Sequence, residues 1–276
     1  MKFALIGGGN MGRALVSSWL RSGVRSEDIT VADVSEEARA GLAREFGVKA
    51  TAAAIDALDG AAVAVLAVKP QDMAGTLAPL RAALVAQNPL VISIAAGIRL
   101  ADLGIWCGEN AAVVRAMPNR PALVGAGATG VFAPDTVSAE SRALAEIVLR
   151  PTGIVVWVER EDALDAVTAL SGSGPAYFFL LAEAMVDSAR ALGLPADAAR
   201  QLALATLHGA GMLAAQSDAD LALLRAEVTS KGGTTETAVR VMQEQGLGAI
   251  VAQAMAAAAR RSAELADSFS HAARKH

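Results

Sequence analysis

Two stretches of this chain carry residue types whose spacing could do chemistry. One is Leu224–Arg240, LRAEVTSKGGTTETAVR, where Gly232 and Gly233 stand between Thr229-Ser230 and Thr234-Thr235. Adjacent glycines let backbone N–H groups turn towards one point, and Thr234 or Thr235 is suited to cap the helix that the next residues predict. A helix N-terminus gathers unpaired N–H groups and the positive end of the dipole, which predicts a seat for a small anion such as a carboxylate. A capped helix connector with no ligand has the same composition, and this stretch alone favours that plainer reading. The other stretch is Gly7-Gly-Gly-Asn-Met-Gly12, which reads G-x-G-x-x-G at Gly7, Gly9 and Gly12.

The glycine run has the setting that a dinucleotide site needs. The strand-like Lys2–Ile6 precedes it, an amphipathic helix over Met11–Ser22 follows, and a second strand, Ile29–Ala32, ends at Asp33. An acid at the end of the next strand, about 20 residues on, is where a ribose-binding carboxylate belongs. The residues after it, Val34-Ser-Glu-Glu37, offer no arginine for a 2′-phosphate, so NADH is expected to serve at least as well as NADPH. Strand and helix patterns then alternate. Ala62–Val68 is an apolar run ending at Lys69-Pro70, a helical pattern spans Met73–Leu84, and Leu90–Ile94 ends in Ala95-Ala96. Continuous apolar runs are the mark of buried parallel strands, and ligands sit beyond their C-terminal ends. Lys69, Ala95 and Ala96 are therefore placed to line a nicotinamide, although a tight strand exit explains the alanines equally well. Strands over Ala112–Ala116, Gly125–Val131 and Thr152–Val158, with a helix over Ser138–Leu149, complete a first domain over residues 1–159.

Beyond it the strand signal disappears. Asp162–Leu170 is helical and Ser171–Pro175 is expected to interrupt it. Ala176–Leu192, Ala196–Ala215, Leu221–Val228, Thr235–Gln245 and Ala249–Phe269 read as helices, and Ser270–His276 as a frayed tail. The fold class is thus an α/β Rossmann domain followed by an all-α domain over residues 160–276. These helices are apolar around more of their circumference than a small bundle buries, which predicts a partner subunit.

Composition excludes several classes. No apolar run approaches the ~18 residues that span a bilayer, so no membrane is expected. The strand-like run directly after Lys2 leaves no expected signal peptide. A net charge of −4 gives no footprint for nucleic acid. One cysteine, Cys107, forms no internal disulfide, which suits the cytoplasm, and three histidines leave no expected metal site.

Taken together, the motifs Gly7–Gly12, Ala67-Val-Lys-Pro70, Ser93–Gly97, Met117-Pro-Asn119, Ser171-Gly-Ser-Gly-Pro-Ala-Tyr177, Glu183-Ala-Met185 and Thr229–Thr235 resemble the pyrroline-5-carboxylate reductases from Phe3 to Leu265. The resemblance implies hydride transfer from NADPH or NADH to the C=N carbon of 1-pyrroline-5-carboxylate, giving L-proline, in an interlocked homodimer that in some members assembles into decamers. It implies that N–H groups around Gly233, Thr234 and Thr235 hold the substrate carboxylate, with Val228, Ser230 and Gly232 beside them, and that the Thr235 hydroxyl lies near the ring nitrogen. Glu161 and Asp218 match positions near the substrate in some relatives. The cofactor residues it implies are Ile6, Gly7, Gly9, Asn10, Met11, Gly12, Asp33, Ser35, Ala67, Val68, Lys69, Pro70, Ala95 and Ala96. Ala54 stands where an asparagine that contacts the ribose is common, and Lys231 where proline is common.

A hydroxyacid-type dehydrogenase shares this plan. Reducing a ketone creates an alkoxide that needs a proton donor, usually a lysine after the domain boundary. Ser171–Asp187 holds no lysine, whereas a protonated imine needs none. A dinucleotide-sensing subunit would have no use for the Gly232–Thr235 seat.

Overall fold

The computed structural model describes residues 1–273. Eight strands form one sheet in the order β3-β2-β1-β4-β5-β6-β7-β8. They are β1 (Phe3–Ile6), β2 (Ile29–Ala32), β3 (Lys49–Thr51), β4 (Val63–Leu66), β5 (Leu90–Ser93), β6 (Val113–Met117), β7 (Gly127–Phe132) and β8 (Gly153–Trp157). Neighbours run parallel except β6 and β7, which pair antiparallel. The first strand of the chain lies in the interior of the sheet, with Phe3 opposite Ile29 on one side and Val63 on the other.

The pleat divides the apolar residues between two cores. Successive side chains point to opposite faces, so Phe3, Leu5, Val63 and Val65 enter one core while Ala4, Ile6, Ala64 and Leu66 enter the other. Helices α1 (Asn10–Arg21) and α7 (Ala139–Leu149) cover the first face, where Trp19 Nε1 donates to the Val148 carbonyl at 2.7 Å. Helices α2 (Glu36–Phe46) and α3 (Ala54–Leu58) follow β2 and β3, and α4 (Met73–Leu77), α5 (Arg81–Gln87) and α6 (Leu100–Cys107) follow β4 and β5. Leu58, Leu77, Leu84 and Leu103 of α3 to α6 fill the second core.

Three sequence expectations need correction. The single helix over Met73–Leu84 is broken into α4 and α5 by a tight turn over Ala78–Leu80, because Pro79 lacks an N–H and its ring clashes with the preceding turn. Ser171–Pro175 does not interrupt the helical path. After α8 (Ala163–Val167), a π-helical turn over Thr168–Gly172 leads into α9 (Gly174–Ala191), and Pro175 sits in a first turn, where no N–H is missed. Finally, Ser270 is no frayed end. It lies within α13 (Leu247–Ala273), and its hydroxyl donates to buried Asp102 Oδ2 at 2.6 Å. The remainder of that tail, residues 274–276, lies outside the described residues.

By packing, the chain forms two compact units, Met1–Ser173 with Ala258 onward, and Gly174–Ala257. The division at 159/160 marks the end of the last strand, whereas α8 and the end of α13 group with the sheet. The second unit holds α9, α10 (Ala196–Ala215), α11 (Leu221–Glu227), α12 (Thr234–Glu244) and the start of α13. Its large apolar side chains are mostly exposed, Phe178 at 57%, Phe179 at 62% and Leu180 at 67%.

Candidate active site

A cleft of about 560 Å³ opens at the C-terminal ends of β1, β2 and β4. Ile6, Gly7, Gly9, Asp33, Ala67, Val68 and Lys69 line it, all of them expected cofactor residues. Gly7 and Gly12 are there for steric reasons. A Cβ on Gly7, whose φ is +108°, would lie 2.6 Å from the Ala67 backbone, and one on Gly12 would collide with the Gly7 carbonyl. Gly8, which the fingerprint leaves open, is constrained less strictly, since its Cβ would stand 2.5 Å from Leu42 Cδ1 of α2, the end of a side chain rather than backbone. A Cβ on Gly9 would meet nothing within 4 Å, so the loop there faces open space. Helix α1 starts at Asn10 with no side-chain cap. The N–H groups of Asn10, Met11 and Gly12 therefore remain available in the first turn, which suits a pyrophosphate.

Asp33 is held by its own backbone surroundings. Oδ2 accepts from the Gly8 N–H at 2.7 Å and Oδ1 from the Ser35 N–H at 2.8 Å. The carboxylate thus ties the β1–α1 loop to the β2–α2 loop. It is not the cap of α2, which is Ser35, accepting from the Ala38 N–H at 3.2 Å. Ala52, Ala54, Asp72 and Thr76 also line the cleft. The family resemblance pointed at Ala54, and nothing in the sequence gave a signal for the other three. Pro70 follows Lys69 just past the cleft wall, while Ala95 and Ala96, at the exit of β5, lie outside that wall. Ser93 Oγ accepts from the Ala95 N–H at 3.4 Å, and Gly97 at φ +74° turns the chain beneath Phe269.

The turn between α11 and α12 forms in the second unit. Gly232 has φ +72°, and a Cβ on Gly233 would lie 2.8 Å from Ser230 Oγ, so both positions need glycine. The cap of α12 is Gly233, a correction to the expected threonine cap. Thr237 Oγ1 donates to the Gly233 carbonyl at 3.2 Å, and the half-buried Thr235 hydroxyl has no bond to the turn. The Gly232 N–H donates to Glu236 Oε2 at 2.6 Å and the Gly233 N–H to the Ser230 carbonyl at 3.0 Å. Those two donors are satisfied internally. Thr234 and Thr235 open the helix, where N–H groups have no intrahelical partner. They are the donors left for an anion. Val228, at the end of α11, and Ser230 are both exposed beside this turn.

Glu161 and Asp218 are placed differently. Glu161 Oε1 accepts from the Leu100 N–H at 2.7 Å and from Arg115 Nη1 at 2.6 Å, so this acid is engaged in the first unit, apart from the cleft walls. Asp218 is exposed in the loop between α10 and α11. Met117-Pro-Asn119 has a structural task. Asn119 Nδ2 donates to the Ser171 carbonyl and Oδ1 accepts from the Ala128 N–H, each at 2.9 Å, which holds the π-helical turn against β7. Cys107 is fully buried, and burial pushes its thiol up to about 12, which makes it no nucleophile. No group of metal-ligating side chains occurs among the described residues, and none of their helices is long and apolar enough to cross a membrane.

Residues 161–265 match the family model "Pyrroline-5-carboxylate reductase dimerisation", and residues 2–97 match "NADP oxidoreductase coenzyme F420-dependent". The chain is 44% identical to a pyrroline-5-carboxylate reductase of Pseudomonas aeruginosa, over 96% of this chain and 97% of that one. It is 41% identical to the enzyme of the same name from Haemophilus influenzae, over 96% and 98%. Among solved structures, a pyrroline-5-carboxylate reductase from Coxiella burnetii superposes with TM-score 0.92 at 39% identity, covering 96% of this chain and 98% of that one. The Plasmodium falciparum pyrroline carboxylate reductase with NADP bound gives 0.83 at 25% identity, with the same coverage.

Proposed function

The chain belongs to the pyrroline-5-carboxylate reductase family, and from that premise we propose that it reduces 1-pyrroline-5-carboxylate to L-proline with NADPH or NADH, the last step of proline biosynthesis. The carrying observation is the coexistence of the Gly7–Gly12 cleft with the Gly232–Thr235 turn. A bound reduced nicotinamide supplies the hydride. Ile6, Gly7, Gly9 and the first turn of α1 through Asn10, Met11 and Gly12 hold the pyrophosphate. Asp33 and Ser35 border the ribose, and Ala67, Val68, Lys69 and Pro70, with Ala95 and Ala96, border the nicotinamide half.

In the helical unit, the Thr234 and Thr235 N–H groups receive the substrate carboxylate. Val228 and Ser230 flank it, and Gly232 and Gly233 let the turn form. The Thr235 hydroxyl accepts a hydrogen bond from the protonated imine nitrogen. A carboxylate on a helix N-terminus is held by aligned N–H dipoles, and this helix needs no lysine to bind it. Hydride addition to a protonated imine leaves a neutral amine, which takes its next proton from water. Hence the chain needs no dedicated acid, in keeping with the absence of lysine from Ser171–Asp187. Glu161, paired with Arg115, and the exposed Asp218 are at most peripheral to the substrate.

Residues 160–276 form the substrate-binding and dimerisation part in this reading, and residues 1–159 the dinucleotide part. The protein works as a homo-oligomer, in line with the dimerisation model that matches 161–265. We extend this to a dimer that can assemble into a decamer, acting in the cytoplasm without nucleic acid, metal or membrane. The test is oxidation of NADPH and NADH with pyrroline-5-carboxylate against a panel of 2-keto acids. Turnover confined to the imine is expected, and turnover of a 2-keto acid at a comparable kcat/KM would overturn the proposal.

A further inference from the structure

The four residues after Asp33 hold no arginine, but the fold brings one back from the second turn of α2. Arg39 Nη1 donates to the carbonyl oxygens of Asp33 at 2.8 Å and Val34 at 3.0 Å. Both residues line the dinucleotide cleft. A guanidinium carries five N–H donors, so these two bonds leave most of its fork unused. Among the described residues, no carboxylate lies within ion-pair distance of Arg39. Meanwhile Asp33, the ribose-binding acid whose charge opposes a 2′-phosphate, is already engaged, since both its oxygens accept backbone N–H groups from Gly8 and Ser35.

We propose that Arg39 is the residue by which this chain recognises a ribose 2′-phosphate, so that the phosphorylated dinucleotide is accepted despite Asp33. This inference rests on the dinucleotide reading of the cleft. The ribose of a dinucleotide in this fold lies at the end of β2, where Asp33 and Val34 sit. Glu36 and Glu37, in the first turn of α2, carry the opposite sign, but both are exposed and act through screening solvent. A direct charge-assisted bond from a planar guanidinium to a phosphate outweighs them. The guanidinium is already held by the carbonyls of two residues that line the cleft, so less side-chain freedom is lost when the phosphate arrives.

The test is equilibrium binding of NADP⁺ and NAD⁺ to the intact protein by calorimetry, for wild type, Arg39→Gln and Arg39→Lys. Wild type should bind NADP⁺ at least as tightly as NAD⁺. Arg39→Gln should weaken NADP⁺ about ten- to a hundredfold, the range for a hydrogen bond to a charged group, and leave NAD⁺ within about twofold. Arg39→Lys should lie between, keeping the charge and losing the fork. An NADP⁺ affinity that Arg39→Gln does not change would overturn the proposal. So would an equal loss for both nucleotides, which would make Arg39 only a brace of the loop. A wild-type preference for NAD⁺ of about tenfold or more overturns it without any variant. If wild type binds neither nucleotide, the proposed function fails together with it.

Discussion

At the scale of single residues, Thr235 separates two accounts of the glycine–threonine turn. Its hydroxyl could have served the helix as a cap, but the cap is Gly233 and the Thr235 hydroxyl has no bond to the turn. A hydrogen bond to the charged imine nitrogen is worth roughly 1.5–3 kcal/mol, or about a ten- to hundredfold change in kcat/KM. Thr235→Val should therefore lose that much activity towards the imine with an unchanged thermal midpoint, while Thr235→Ser keeps most of it. Full activity in the valine variant would remove Thr235 from the chemistry. Asp33 shows where a sequence reading stops. Its type and distance from the glycines marked it as a ribose acid. That it also holds the Gly8 N–H depends on a fold that sets two loops side by side. Arg39 is not legible for the same reason, because spacing along the chain does not show a side chain that runs back along its helix. Cys107 offers a plain check of burial. With its thiol pushed up to about 12, it should resist alkylation in the native protein and react only after unfolding.

At the scale of elements, the strands around the cleft were legible because a parallel strand buried on both faces must be apolar throughout. β1, β4 and β5 are FALI, VAVL and LVIS, and every residue in them is buried. β3 was not legible. Its KAT carries no apolar run, and it is a strand only because β2 offers a free edge. The end of α13 reads as a tail in the sequence because its contacts are long-range. Ser270 reaches Asp102, and Ser262 reaches Asp165 Oδ1 at 2.6 Å. Removing the Ser270 hydroxyl leaves the buried Asp102 carboxylate without that donor, at a cost of about 1–3 kcal/mol. Ser270→Ala should lower the thermal midpoint by several degrees and leave KM for the imine unchanged. No change in the midpoint would mean that this contact does not secure the helix.

At the scale of the whole molecule, the helical unit exposes apolar side chains along α9 and α10, among them Leu180 at 67% and Leu213 at 64%. Apolar surface of this kind is stabilised by burial against another copy, at roughly 25 cal/mol per Å². The protein should accordingly sediment at micromolar concentration as a dimer or larger, and a folded monomer there would contradict the account. The assembly serves one reaction, and the position of a single deuterium tests it most directly. Reduction of 1-pyrroline-5-carboxylate with dinucleotide deuterated at the nicotinamide C4, on the transferred face, should give proline one mass unit heavier. NMR should place the label on the ring carbon next to nitrogen that does not bear the carboxylate. Unlabelled proline, label at another carbon, or no proline at all would contradict the claim that this chain delivers hydride to the imine.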